Sequence, residues 1–158
     1  LLIDRLSTEA GLDALRHVRS RDIEIAASVA IAHLTLNETD AGDLDSAFRM
    51  DPPLRSEMDR RALVEAVING EINAVISDHR PTPFDDKGEP FALAIAGTLS
   101  VETMLGAMLG LVHDGQLELI EALRVLTCGP AELLGLPQGR ISAGAPADLI
   151  LVDGDIPW

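Results

Sequence analysis

Apolar positions along the first half of the chain follow two alternating periods. Short aliphatic runs at residues 1–3, 23–34 and 72–77 are separated by stretches in which apolar residues recur every three or four positions. Leu1-Leu2-Ile3 predicts a buried strand, after which Ser7-Thr8-Glu9 offers a hydroxyl to cap an amphipathic helix carrying Leu12, Leu15 and Val18. Arg21-Asp22 turns the chain into residues 23–34, rich in Ala, Val and Ile with few charges, the composition of a strand buried on both faces. Residues 37–51 are acidic and aperiodic and run into Pro52-Pro53-Leu54-Arg55, where each proline holds the preceding residue extended, so this is a loop. Ser56 then starts a second helix whose Leu63, Val64 and Val67 share a face and which Asn69-Gly70 closes. A third strand follows at 72–77.

Polar groups crowd just past that strand, in Asp78-His79-Arg80-Pro81-Thr82-Pro83. A charged loop punctuated by Gly and Pro is expected over 85–97, a well-buried helix over 100–113, and two short helices over 117–127 and 130–134, the latter with Pro130 in its first turn. Residues 139–148 predict a turn-rich hairpin that leads into an apolar strand at 149–152. Strand and helix in alternation predict a parallel sheet with crossover helices. Three such strands are too few to close a barrel. An apolar strand at residue 1 without a leading Met, and an end at Trp158 directly after another strand, read as a piece cut from a longer chain. There is no internal repeat.

Composition narrows the partners. With 158 residues, 47% of them hydrophobic, the chain can bury one core. Its net charge of −14 repels phosphate backbones and anionic lipid, so neither nucleic acid nor membrane is an expected partner. Asp4-Arg5 interrupts the opening apolar run too early for a signal peptide or a spanning helix. The single cysteine, Cys128, cannot form an internal disulfide and fits a reducing compartment, with the cytoplasm as the expected location.

The sharpest local chemistry is Val75-Ile76-Ser77-Asp78-His79. An aspartate at a strand's C-terminal end, where α/β barrels keep their chemistry, can serve as a metal ligand and as a proton carrier for attacking water. Asp78 can equally cap the turn before Pro81 while His79 bonds locally, and spacing leaves both open. His17 and His113 fall late in helices, where a cation suits the C-terminal dipole, so a surface role is expected. His33 reads as a packed or hydrogen-bonded residue, Cys128 as a small buried hydrophobe, and Asp85-Asp86-Lys87-Gly88 as a solvated turn.

Several of these segments together resemble dihydroorotases. Pro52-Pro53-Leu54-Arg55, Asp78-His79 with Pro81, Gly97 with Glu102-Thr103, and Gly144-Ala145-Pro146-Ala147-Asp148 are similar in type, order and spacing to that family's motifs. The family pattern reads Asn-Pro-Pro-Leu-Arg, then Thr-Asp-His-Ala-Pro-His after the last barrel strand, then a Gly-rich segment before Glu-Thr, then Gly-x-x-Ala-Asp. The resemblance covers nearly the whole chain. It implies an α/β fold: the C-terminal part of a metal-dependent hydrolase (β/α)8 barrel over residues 1–138, with residues 139–158 starting a small β-sandwich. The implied reaction interconverts dihydroorotate and N-carbamoyl-aspartate in pyrimidine synthesis, using Zn2+ to activate water. The implied assembly is a homodimer or a complex with aspartate transcarbamoylase.

By the same resemblance, Asp78 is the zinc-binding and proton-carrying aspartate, and Gly97, with Ala96 where proline is common, is the main-chain contact to the ring. Three positions depart from the family. Arg5, in Asp4-Arg5-Leu6-Ser7-Thr8, stands where Cys-His-Val-Ser-Thr has a zinc histidine, and a guanidinium has no lone pair for a metal. Asp51 replaces the asparagine before Pro-Pro, and Thr82 the second histidine, both substrate-binding in the family; a carboxylate at 51 repels an anionic substrate. His33 resembles the second histidine of the family's His-His-Leu. The family's His-x-His pair and bridging lysine or aspartate belong to its N-terminal half, outside this sequence. These departures favour a second possibility, a degenerate relative kept as a structural partner of aspartate transcarbamoylase. A third is a hydrolase of hydantoin or allantoin.

Overall fold

Three parallel strands set the frame of the computed structural model, which describes residues 1–154. β1 (Leu2–Ile3), β2 (Ala26–Ala30) and β3 (Ala74–Ile76) lie in the order β1-β2-β3. Leu2 pairs with Ala26, Ile3 with Ala27, and Ser28, Val29 and Ala30 with Ala74, Val75 and Ile76. The parallel order is the one expected. β1 is not the buried strand expected of Leu1-Leu2-Ile3: Leu1 and Leu2 are exposed, because among the described residues this strand has a neighbour on one side only.

α1 (Glu9–Arg19) crosses from β1 to β2 and α3 (Glu57–Ile68) lies between β2 and β3. Their caps are the ones the sequence predicts. The Thr8 hydroxyl accepts from the Gly11 N–H at 3.0 Å, and the Ser56 hydroxyl accepts from the Asp59 N–H at 3.2 Å while donating to its carboxylate at 2.6 Å. Leu12 and Leu15 of α1 and Leu63 and Val67 of α3 are buried against Val29 and Ile72.

Residues 23–34 do not form one strand. The strand stops at Ala30 and α2 (Ile31–Thr35) begins at the next residue. β3 ends at Ile76, opposite Ala30, so the backbone beyond has no ladder partner and closes its hydrogen bonds along itself, with Leu36 N–H donating to the Ala32 carbonyl at 2.8 Å. An apolar run of this kind fits a buried strand and a buried helix equally well.

The second half is helical. α4 (Phe84–Lys87) is a single turn inside the charged loop, followed by α5 (Met104–His113), α6 (Leu119–Leu126) and α7 (Cys128–Leu134). α5 starts later than predicted and is less buried than its composition suggested, with Met108 and Leu111 fully enclosed. α7 begins at Cys128, ahead of Pro130, and packs tightly on the start of β3: a side chain at Gly129 would meet the Asn73 carbonyl at 2.1 Å.

At the opposite edge from the strand ends, Arg19 ties the entry of β2 to that of β3. Its guanidinium donates to the carbonyls of Ile25 (3.1 Å) and Glu71 (2.9 Å) and to the Asn73 side chain (3.1 Å), and that amide oxygen also accepts from the Ala27 N–H at 3.0 Å. The hairpin and strand expected over 139–152 do not form among the described residues. Ile141, Leu149, Ile150 and Leu151 are exposed there, because no strand is offered to them to pair with. Trp158, the expected end of that segment, lies outside the described residues. No helix among the described residues is long and apolar enough to cross a membrane.

Two outcomes follow for stability, both to be read on the full-length protein. Leu15→Ala removes a side chain with no exposed surface and is expected to cost about 3 kcal/mol in urea unfolding. The Glu71 carboxyl is held below its usual value chiefly by the Arg16 guanidinium, at 2.7 Å. A depressed folded value means the unfolded chain binds the proton more readily, so this contribution is present above about pH 4.5 and is lost as pH falls. Glu71→Gln is therefore expected to lower the thermal midpoint at pH 7 and to lower it progressively less as the pH is taken below 4.5.

Candidate functional site

Parallel pairing brings the ends of all three strands to one edge. β1 ends at Ile3 and β3 at Ile76, and two residues beyond each stand Arg5 and Asp78. Both adopt left-handed backbone, with φ of 57° and 48°. A side chain in that conformation costs roughly 1–2 kcal/mol per residue, so surrounding contacts must hold it.

For Arg5 those contacts are visible. Its N–H donates to the buried Ser28 hydroxyl at 3.1 Å, which in turn donates to the Asp4 carboxylate at 2.7 Å. The guanidinium donates to Asp4 Oδ2 at 3.1 Å and to the Asp51 carbonyl at 2.8 Å. From there Nη1 lies 3.7 Å from Asp78 Oδ1, and the same oxygen receives Arg80 Nε at 3.1 Å. The Asp78 side chain is only 13% exposed. Burial pushes its carboxyl above the usual value and the Asp4 and Asp51 charges add to this, while Arg5 and His33 pull the other way.

His33 is buried in α2, with Nε2 3.2 Å from the Pro53 carbonyl. A carbonyl partner requires Nε2 to carry the proton, which leaves Nδ1 a bare acceptor without a partner among the described residues. Burial lowers the pKa of this imidazole and favours its neutral form. The His79 ring does not make the local bond expected of a turn: its Nδ1 accepts from the N–H groups of Ser100 (3.1 Å) and Val101 (3.4 Å), more than twenty residues on. Arg80 N–H donates to the Thr98 carbonyl at 2.9 Å, so residues 97–101 are laid along the segment after β3.

Gly97 is buried in that seam. Its N–H donates to the Arg49 carbonyl at 3.0 Å, and a Cβ here would stand 2.5 Å from the Arg80 carbonyl and 3.2 Å from the Thr82 methyl. The half-buried Ala96 precedes it. The predicted site residues therefore fall into two adjoining groups, Arg5, Asp51 and Asp78 in one, and Ala96, Gly97 and Thr82 in the other. Arg80 joins them, its guanidinium on Asp78 and its carbonyl on Gly97. Sequence reasoning passed over Arg80 and Ser28; a guanidinium two residues after Asp78 was the available signal for the first, whereas Ser28 sits inside a strand with none.

Other candidates lie apart. His17 meets Arg21 at 2.8 Å on α1, His113 is exposed at the end of α5, and Cys128 is half-buried in α7, less enclosed than expected. Lys87, read as part of a solvated turn, instead donates to the carbonyls of Ser46 (3.1 Å) and Arg49 (3.0 Å) and pins the segment before Met50 to α4. Among the described residues no group of three His, Cys, Asp or Glu side chains is arranged to hold a metal ion.

The profile of the Amidohydrolase family matches residues 10–157. The dihydroorotase of Syntrophotalea carbinolica is 35% identical over 158 residues, which is all of this chain and 37% of that protein. A dihydroorotase-like protein of Pseudomonas aeruginosa is 37% identical over 149 residues, 94% of this chain and 35% of its own. Among solved structures, the L-hydantoinase (dihydropyrimidinase) from Arthrobacter aurescens superposes with a TM-score of 0.87 at 27% identity, over 93% of this chain and 34% of that one. The chain thus spans little more than a third of the length of the relatives it matches.

Substitution of Gly97 probes the seam directly. Gly97→Ala forces the new methyl against the Arg80 carbonyl and is expected to cost about 1–3 kcal/mol. Limited proteolysis should show faster cleavage within residues 80–98, and an unchanged cleavage pattern would show that the seam does not depend on this contact.

Proposed function

This chain belongs to the amidohydrolase family, and from that footing we propose that it is part of a dihydroorotase-like cyclic amide hydrolase. In this reading residues 1–138 are the last strand–helix units of a (β/α)8 barrel and residues 139–158 lead into a small β-sandwich. The parallel strands with crossover helices support the first part. The substrate is dihydroorotate or, in reverse, N-carbamoyl-aspartate, and the setting is pyrimidine synthesis in the cytoplasm.

Asp78 carries this reading. A carboxyl at a strand's C-terminal end, mostly buried and pushed above its usual value, can take the proton of an attacking water and deliver it to the ring nitrogen as the C–N bond breaks. By the resemblance Ala96 and Gly97 would contact the ring through main chain, and because the Gly97 N–H is donated to the Arg49 carbonyl, that contact would fall to other main-chain groups of this pair. Zinc, the cofactor the resemblance implies, would supply Lewis-acid polarisation and a hydroxide at neutral pH. The side chains of this chain do not fit it. Arg5 has no lone pair to give, and Asp78 already faces two guanidinium groups, so no step is routed through a metal.

Arg5 also favours a second reading, in which the protein is a non-hydrolytic relative retained as a structural partner, in a homodimer or with aspartate transcarbamoylase. The hydantoinase likeness of the fold keeps hydantoin or allantoin rings as the alternative cyclic amides.

Ring opening of dihydroorotate by the full-length protein, followed by its absorbance, separates these readings. A hydrolase should turn over, and Asp78→Asn should slow it by about 100-fold or more, as expected for a lost proton carrier, with little change in thermal midpoint. An unchanged rate would remove Asp78 from the mechanism. No turnover of dihydroorotate, hydantoin or allantoin would leave the structural partner.

A further inference from the structure

The carboxylate of Asp78 is already neutralised by residues of this chain. Two guanidinium groups converge on one oxygen, Arg80 at 3.1 Å from two residues along the chain and Arg5 at 3.7 Å from a strand end remote in sequence. Arg5 is no loosely held surface arginine: its side chain is 26% exposed, and its backbone N–H, Nε and Nη1 each have a partner in Ser28, Asp4 and Asp51. The two guanidinium partners, the Asp4 carboxylate and the Asp51 carbonyl, are oxygen acceptors, so the guanidinium is aimed at Asp78 by bonds that a displaced side chain would forfeit.

We propose that Arg5 and Arg80 take the place of a bound cation at Asp78, and that Arg5 is the residue that keeps a divalent metal out of this edge of the sheet. The charges fit. The carboxylates of Asp4 and Asp78 pair with the two guanidinium groups of Arg5 and Arg80, and His33 is held neutral by burial, so the paired groups balance without an added ion; Asp51 meets Arg5 through its backbone carbonyl and keeps its carboxylate exposed. A divalent metal reaching Asp78 would meet two fixed positive charges within 4 Å of its ligand oxygen and would gain no lone pair from either. Replacing Arg5 with histidine reverses both effects at once, removing a charge and supplying an imidazole beside Asp78. This concerns how the carboxylate is neutralised and does not depend on whether the protein hydrolyses a cyclic amide.

The test is zinc content, measured by mass spectrometry on full-length protein expressed with added zinc and purified without chelator. Wild type is compared with Arg5→His, Arg5→Lys and Asp78→Asn. Arg5→His is expected to raise zinc per chain at least tenfold, and its thermal midpoint should rise with zinc and fall back with chelator, as linkage requires of a metal that binds the folded state. Arg5→Lys, which keeps the charge, should stay as low in zinc as wild type. Zinc that wild type holds and Asp78→Asn retains lies away from Asp78 and agrees with the proposal. Zinc that wild type holds and Asp78→Asn loses would overturn it, whatever Arg5→His does. A folded Arg5→His that gains none would also overturn the role given to Arg5. Absence of dihydroorotate turnover in wild type would sink the hydrolase reading and leave this one standing.

Discussion

The in-register parallel pairing of β1, β2 and β3 is the constraint from which the remaining geometry follows. Parallel neighbours need a crossover between them, and α1 and α3 are those crossovers, each with a face of leucine and valine that the sheet can bury. The same direction in every strand sends all three chain exits to one edge and all entries to the other. Entries are tied together by Arg19 and Asn73, a hydrogen-bonded staple across two strands. Exits carry Arg5 and Asp78, which are remote in sequence and meet only because β1 and β3 flank β2 in matched register.

Electrostatics at the exit edge is a contest between burial and fixed cations. Burial pushes the pKa of the Asp78 carboxyl, 13% exposed, above its usual value, and Asp4 and Asp51 add to that shift. Arg5 and Arg80 oppose it, and His33 adds a smaller pull in the same direction than Arg5 does. A metal would decide such a contest outright in favour of the ionised carboxylate. Guanidinium groups decide it more weakly, and they contribute donors only, which is why the identity of residue 5 bears so heavily on what this edge can do.

Much of the architecture was legible from local rules. Thr8 and Ser56 announce their helices because a cap needs only a hydroxyl and the next few residues. Asn69 closes α3 for the same kind of reason, and Asp78 was placed past a strand end by a β-branched run meeting a proline-rich turn. Of the candidate site, the residue types were readable one by one, Asp78 and Arg5 among them.

Only the tertiary structure decided the rest, because each remaining feature depends on what lies across space. Residues 31–35 became helix when the neighbouring strand ended and left their backbone without a ladder. Leu1 and Leu2 are exposed because β1 has one neighbour among the described residues, and the apolar residues 149–152 form no strand, the described residues offering them none to pair with. Arg5 reaches the locally paired Asp78 and Arg80 through a contact that no spacing encodes. The sequence by itself determined which segments could be strand or helix and where a carboxylate would stand; register determined which charges it would face, since hydrogen bonding between strands acts over ångströms rather than along the chain.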